Sequence, residues 1–286
     1  MHALPSLIAF LVAAALASPL LAAMRRGAHT RANYRGRELP FPFGVLIPAA
    51  ALVALVPLML LQRLASTDLF HRETLPVAVY CLSVIALGMI DDLLGVGAAP
   101  PSLRKDNPEP RGLRGHAAAA LRGELSTGAL KAAGSLGAAL AAMAYLQLHN
   151  GRWLLAVAVL VLATHLFNLL DLRPGRAPKA FVLLGAGVAI GTRELRALWT
   201  VGLFAAPALV AGACDLRERA LLGDTGASLL GALAGLLLVL SLSVAGQLVA
   251  LGLLGAAIVY GELSSISTLV ERTPGLRELD SWGRPS

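Results

Sequence analysis

The sequence predicts an all-α, polytopic integral membrane helical bundle of about nine transmembrane helices, with the N-terminus outside and the C-terminus cytoplasmic. Three observations carry this. The 286 residues are 57% hydrophobic and only 14% charged, with a mean hydropathy of +0.72, where a soluble domain carries about 25% charged residues. The charges lie in short blocks, and the runs of Leu, Ala, Val and Gly between them last about 20 residues, enough to cross a bilayer. The basic residues are also unevenly shared between alternate blocks, which sets the orientation. No polar segment is long enough to bury a core of its own, so residues 1–286 read as a single transmembrane domain.

The apolar spans fall at about 4–24, 43–62, 76–91, 128–148, 152–170, 179–191, 197–213, 225–243 and 247–268. In the first, positive charge follows the apolar run instead of preceding it, which favours an uncleaved helix over a signal peptide. The second contains Pro48 and Pro57, which would kink it. The third ends on Asp91 and Asp92. The loop 92–127 is rich in Pro and Gly, and is read as irregular backbone followed by a short helical piece at "HAAAALRGEL", which carries His116. The sixth span is too short to cross squarely, and is expected to be tilted, broken or re-entrant. Cys81 and Cys214 sit in or beside different apolar runs without CxxC spacing, and are read as packing residues.

With the N-terminus outside, the inner segments hold Arg25, Arg26, Arg31, Arg35 and Arg37, then Arg104, Lys105, Arg111, Arg114, Arg122 and Lys131. Further along they hold Arg173, Arg176, Lys179, Arg217, Arg219, Arg272, Arg277 and Arg284. These are nineteen of the 24 basic residues. Arg63, Arg72, Arg152, Arg193 and Arg196 remain outside. The net charge of +7 is explained by this bias, not by nucleic-acid binding. Trp153, Trp199 and Tyr145 fall near predicted outer ends, as an interfacial aromatic belt requires.

The same orientation sorts the acidic residues. Asp91 and Asp92 end the third span, Asn168 and Asp171 the fifth, Asp215 follows the seventh and Asp224 opens the eighth, all on the inner side. Two adjacent carboxylates at a helix C-terminus oppose the macrodipole and repel each other. A cation would relieve both penalties, and oxygen ligands suit Mg²⁺ or Mn²⁺; solvated charges at a helix end are the alternative. Asn168 and Asp171 share a helix face. Arg173, Arg176 and Lys179 follow at once, either to hold phosphate oxygens or as ordinary inner-side charges. In "GDTGAS", Gly223 and Gly226 permit close approach and Asp224 or Thr225 can cap the helix, whose N-terminus attracts anions. Lys131 opens the fourth span, where it snorkels or meets an anion. His165 lies one turn before Asn168 and reads as an interior histidine or a site residue. Gly231 and Gly235 form a GxxxG read as helix packing.

In order, "GMIDDLLG", "NLLDLRPG" and "GDTGASLLGALAG" resemble the three acidic signatures of the polyprenyl-phosphate N-acetylhexosamine-1-phosphate transferases, the superfamily of phospho-N-acetylmuramoyl-pentapeptide transferase and the undecaprenyl-phosphate GlcNAc-1-phosphate transferases. "NYRGRELPFPFG" and "STGALK" are similar to that family's segment between the first two helices and to its helix-opening lysine. The resemblance covers about residues 25–286. It implies transfer of a sugar-1-phosphate from a UDP-sugar to a membrane polyprenyl phosphate, releasing UMP, with Mg²⁺ as cofactor, in the cytoplasmic leaflet of a bacterial inner membrane, for cell-envelope assembly. It implies catalytic and metal-binding roles for Asp91, Asp92 and Asp224, and substrate contacts from Lys131, Asn168 and Asp171, beside which the basic turn of Arg173, Arg176 and Lys179 is the candidate phosphate-binding segment. A homodimer is a further implication. The chain departs from the pattern in two places. It has no histidine after His165, where the familiar members carry a His-rich motif, and Arg272, Arg277 and Arg284 are the expected substitutes. Its second motif also lacks a DG pair. A silent relative that binds lipid phosphate is the alternative reading. A transporter is disfavoured because its carboxylates should lie near the bilayer midplane, and a CDP-alcohol phosphotransferase because its signature is missing.

Overall fold

The computed structural model describes residues 2–95, 127–146 and 151–285. The helices are α1 (Leu4–Arg26), α2 (Leu46–Ala65), α3 (Thr74–Leu94), α4 (Thr127–Tyr145), α5 (Arg152–Leu170), α6 (Arg176–Thr192), α7 (Arg196–Leu216), α8 (Gly223–Ser241), α9 (Val244–Leu263), α10 (Ile266–Arg272) and α11 (Pro274–Ser281). Each of the nine apolar stretches forms one of α1 to α9. Seven of these are long and apolar enough to cross a membrane; α4 and α6 are not among them. At 17 residues α6 spans only about 26 Å, less than the roughly 30 Å hydrocarbon layer. α2 is a continuous helix through Pro48 and Pro57. The proposed "HAAAALRGEL" helix, His116, and Arg104, Lys105, Arg111, Arg114 and Arg122 lie outside the described residues.

The architecture is not purely helical. Thr30–Ala32 (β1) and Glu38–Pro40 (β2) pair antiparallel, with Arg31 opposite Leu39. The turn between them is local chemistry. The Asn33 side-chain oxygen accepts from the backbone N–H of Arg35 and of Arg37, and Gly36 takes the left-handed φ of +75°. A 3-10 turn, Phe43–Val45, then leads into α2.

The centre of the bundle is α8, with 89% of its most apolar window buried, against 17% for α9 at the rim. Its stripe of small residues makes this possible. A Cβ on Gly231 would meet the Thr164 Cα at 2.6 Å, and one on Gly235 the Leu160 Cα at 3.0 Å, so α5 lies directly against α8 there. α3, α6 and α7 pack on the other sides of α8, and α1 packs on α7 and α2. Cys81 and Cys214 are buried free thiols, as packing residues should be. Trp153 and Trp199 open α5 and α7, and Tyr145 closes α4, at the ends opposite those carrying Asn168, Asp215 and Lys131.

Candidate active site at one end of the bundle

The start of α8 organises the site. Gly223 has φ +71°, so the chain turns sharply into the helix. A Cβ on Gly88, in "GMIDD", would meet the Asp224 carbonyl oxygen at 2.6 Å and the Thr225 Cα at 2.8 Å, while Gly44 lies directly against the backbone of Gly226. The C-terminal half of α3 and the 3-10 turn therefore close on α8 at backbone distance. That approach brings the end of α3 onto the free N–H groups of α8. The Asp92 Oδ1 accepts from the Asp224 N–H at 2.9 Å, and its Oδ2 from the Thr225 N–H at 2.8 Å and hydroxyl at 2.6 Å. A carboxylate from another helix thus caps α8, where the macrodipole favours negative charge. Asp92 is only 6% exposed and lines neither cavity described below. Both of its oxygens therefore accept hydrogen bonds from the start of α8.

Asp91 faces the other way. The Lys131 Nζ, from the first turns of α4, sits 3.4 Å from the Asp91 Oδ2 and 2.6 Å from the Asp224 Oδ2. Carboxylates separated by 133 positions thus share one ammonium. All three line a cavity of about 350 Å³ together with Asn168, His165 and Glu262. The Asn168 amide is fixed in place, donating to the Thr164 carbonyl at 3.0 Å and accepting from the Ser228 hydroxyl at 3.0 Å. His165 Nε2 and Glu262 Oε1 are 3.6 Å apart across the cavity rim, joining α5 to α9.

A second hollow, of about 210 Å³, adjoins the first, and Asp224 lines both. Its other walls include Asp171, Arg173, Asp215, Arg31 and Tyr34. Arg173 lies over the Tyr34 ring, 5.5 Å from its centroid, and is ion-paired to Glu271 of α10. Burial drives Asp171 well above the usual carboxylate range, reinforced by the charges of Asp215, Asp224 and Asp92 and opposed by Lys131. Two buried acids support this hollow: Asp215, one of the inner-side acids of the sequence, lines it, and Glu218, which the sequence did not mark, stands behind it. Asp215 accepts from the Gly175 N–H at 2.6 Å and the Leu222 N–H at 3.1 Å, tying the start of α6 to the approach to α8. Glu218 accepts from the Asn33 amide and the Tyr34 hydroxyl, both at 3.2 Å, and draws the hairpin over the site with help from Arg35 and Arg37. The cluster "NYRGR" was a signal for this contact, since so much positive charge needs a counter-charge, but its partner lies 185 positions away.

Five residues expected to meet phosphate line neither hollow. Arg176 grips Asp280 through both carboxylate oxygens, at 2.9 and 3.2 Å. Lys179 donates to the carbonyls of Leu279 and Asp280 at 2.9 and 2.7 Å. Arg284 meets Asp280 at 2.7 Å and donates to the Pro174 carbonyl at 2.8 Å. Arg272 and Arg277 are exposed and line neither hollow. The basic turn around Pro174 therefore locks the C-terminal tail, and only Arg173 of that turn reaches a hollow. Burial raises the Asp280 carboxyl, but its hydrogen bonds to Arg176 and Arg284 outweigh this and hold it below the usual range.

Among the described residues, no group of three or more His, Cys, Asp or Glu side chains is placed to hold a metal by itself. Mg²⁺ needs no such group, since it binds through one or two carboxylates and fills its octahedron with water and phosphate oxygens. Asp91 and Asp224, already gathered about a single ammonium, fit that donor set. No family model, no curated protein and no solved structure matches the chain.

Proposed function

We propose that the protein is a Mg²⁺-dependent sugar-1-phosphate transferase, acting from a nucleotide sugar, a UDP-N-acetylhexosamine by resemblance, onto a membrane polyprenyl phosphate. One observation carries the reading: Asp91, Lys131, Asn168 and Asp224, from four helices, line one cavity that shares Asp224 with a second, polar hollow. A two-substrate phosphoryl transfer needs two adjoining compartments with charge-compensating groups where they meet. In this reading the smaller hollow, with Tyr34, Arg173 and Asp171, takes the nucleotide. The larger one, beside Lys131 and opening among α4, α5 and α9, takes the lipid phosphate.

A lipid phosphate oxygen forms a bond to the sugar-bearing phosphorus, and the diphosphate bridge breaks with its electron pair leaving on UMP. Lys131 neutralises phosphate charge, Asn168 orients the donor, and Asp91 accepts a hydrogen bond from, or a proton of, the incoming phosphate. Held by Asp224 and Asp91, Mg²⁺ would supply charge neutralisation on the diphosphate. Asp92 acts by positioning Asp224, through the backbone of α8. The basic-residue bias supports placing this end of the bundle in the cytoplasm; a bacterial inner membrane and a part in cell-envelope assembly follow from the resemblance alone.

The test is UMP release from a panel of nucleotide sugars with polyprenyl phosphate and Mg²⁺. Release by the wild type, abolished by Asp224→Asn, is the expected outcome. The engagement of Arg176, Lys179 and Arg284 with the tail favours a second reading, a silent lipid-phosphate binder. Substrate binding without release from any donor would establish that reading instead.

A further inference from the structure

The C-terminal tail leaves a row of apolar side chains uncovered. Leu276 and Leu279 of α11 are 41% and 39% exposed, and Trp282 just beyond it is 72% exposed. Their spacing of three places them along one side of the helix. Arg272 and Arg277 are exposed beside them. The helix cannot roll to hide this side, because Asp280 is clamped between Arg176 and Arg284, and Lys179 holds the adjoining carbonyls.

The level of the tail is also set. α10 begins at Ile266, directly after α9 ends at Leu263, and α9 is long and apolar enough to cross a bilayer. Arg176, which holds Asp280, is the first residue of α6. The tail thus lies beside helix ends, where an apolar core gives way to water. An indole and two leucines flanked by arginines suit that boundary, since tryptophan is enriched at headgroup level and arginine meets anionic headgroups.

We propose that α11 lies in the headgroup layer of the membrane, with Leu276, Leu279 and Trp282 reaching towards the acyl boundary and Arg272 and Arg277 contacting anionic lipid phosphates. The docked tail has a consequence for the site. Glu271 of α10 holds Arg173, which lines the smaller hollow, so the lipid surface helps to fix a site arginine. The proposal stands independently of the transferase reading, because its test needs no substrate.

The experiment uses the full chain with Trp153→Phe and Trp199→Phe, reconstituted in bilayers containing anionic lipid. Quenching of Trp282 fluorescence is compared for lipids brominated near the headgroup, lipids brominated near the chain ends, and aqueous iodide. Strong quenching by shallow bromine and weak quenching by iodide is the expected result. Arg272→Gln with Arg277→Gln should shift the docked-to-free ratio by roughly fivefold per arginine in anionic bilayers and leave it unchanged in zwitterionic ones. Iodide-accessible, water-like emission overturns the proposal. Blue-shifted emission immune to all three quenchers also overturns it, because Trp282 would then be covered by protein, and so does quenching chiefly by the deep bromine, because Trp282 would then lie below the headgroup layer. If the double Phe variant does not fold, the difference between wild type and Trp282→Phe gives the same readout.

Discussion

Asp91 and Asp92 are adjacent in the chain and make different contacts. Successive helical positions differ by about 100° around the axis, so one carboxylate faces α8 and the other faces Lys131. Asp92→Asn keeps one acceptor but turns an amide NH₂ towards the donors of Thr225. It should cost about 1.5–3 kcal/mol of stability, seen as a lower unfolding midpoint in detergent. Asp91→Asn should leave that midpoint nearly unchanged while abolishing UMP release. Equal loss of stability in both variants would remove the division of labour. Asp171 gives a prediction of opposite sign. Its carboxyl is raised in the folded protein, so its favourable contribution is complete below the unfolded value near 3.8 and is lost as pH rises through the higher folded value. Asp171→Asn, which mimics the protonated form, should therefore match wild type in thermal stability at acid pH. It should then become progressively more stable towards neutrality, while losing activity. A melting series across pH checks this, and a variant less stable than wild type at neutral pH would contradict it.

At the scale of elements, the site is a junction at the start of α8. Three glycines of the sharpest motifs serve it: Gly223 for its backbone angle, and Gly88 and Gly226 for close approach. Gly88→Ala should force α3 away from α8 and cost about 1–3 kcal/mol, with activity falling more steeply because Asp91 moves with the helix. Gly137 in α4 faces open space, with nothing within 4 Å of where a Cβ would stand, and Gly137→Ala should be neutral or up to about 1 kcal/mol stabilising. Thermal unfolding of both variants tests the contrast. The acidic motifs are legible in the sequence because each ends or begins an apolar run. The hairpin β1–β2 is not, since three-residue strands give too few alternating positions for a pattern, and Glu218, which holds it down, is hidden among arginines in "DLRER".

For the whole molecule, the nineteen-to-five division of basic residues predicts which end of the bundle faces inward. Asp68→Cys, in the connection between α2 and α3, should react with a membrane-impermeant maleimide in intact cells, and Arg217→Cys, after α7, should not. The native thiols are buried at 0% and 6% exposure, and should stay silent. Labelling with the reverse preference would invert the topology. The helices themselves and the membrane setting follow from sequence alone, and so does the position of Asp91, Lys131, Asn168, Asp171 and Asp224 at the ends of apolar runs, because apolar run length and the placement of charge at run ends are local properties of the chain. The tertiary structure alone decided which of two neighbouring aspartates faces the cavity, that Arg176 and Lys179 hold the tail, and that Asp224 stands between two hollows. Those outcomes depend on contacts made across about a hundred positions or more, such as Arg176 with Asp280, and no local pattern encodes which charge a folded chain will bring to which.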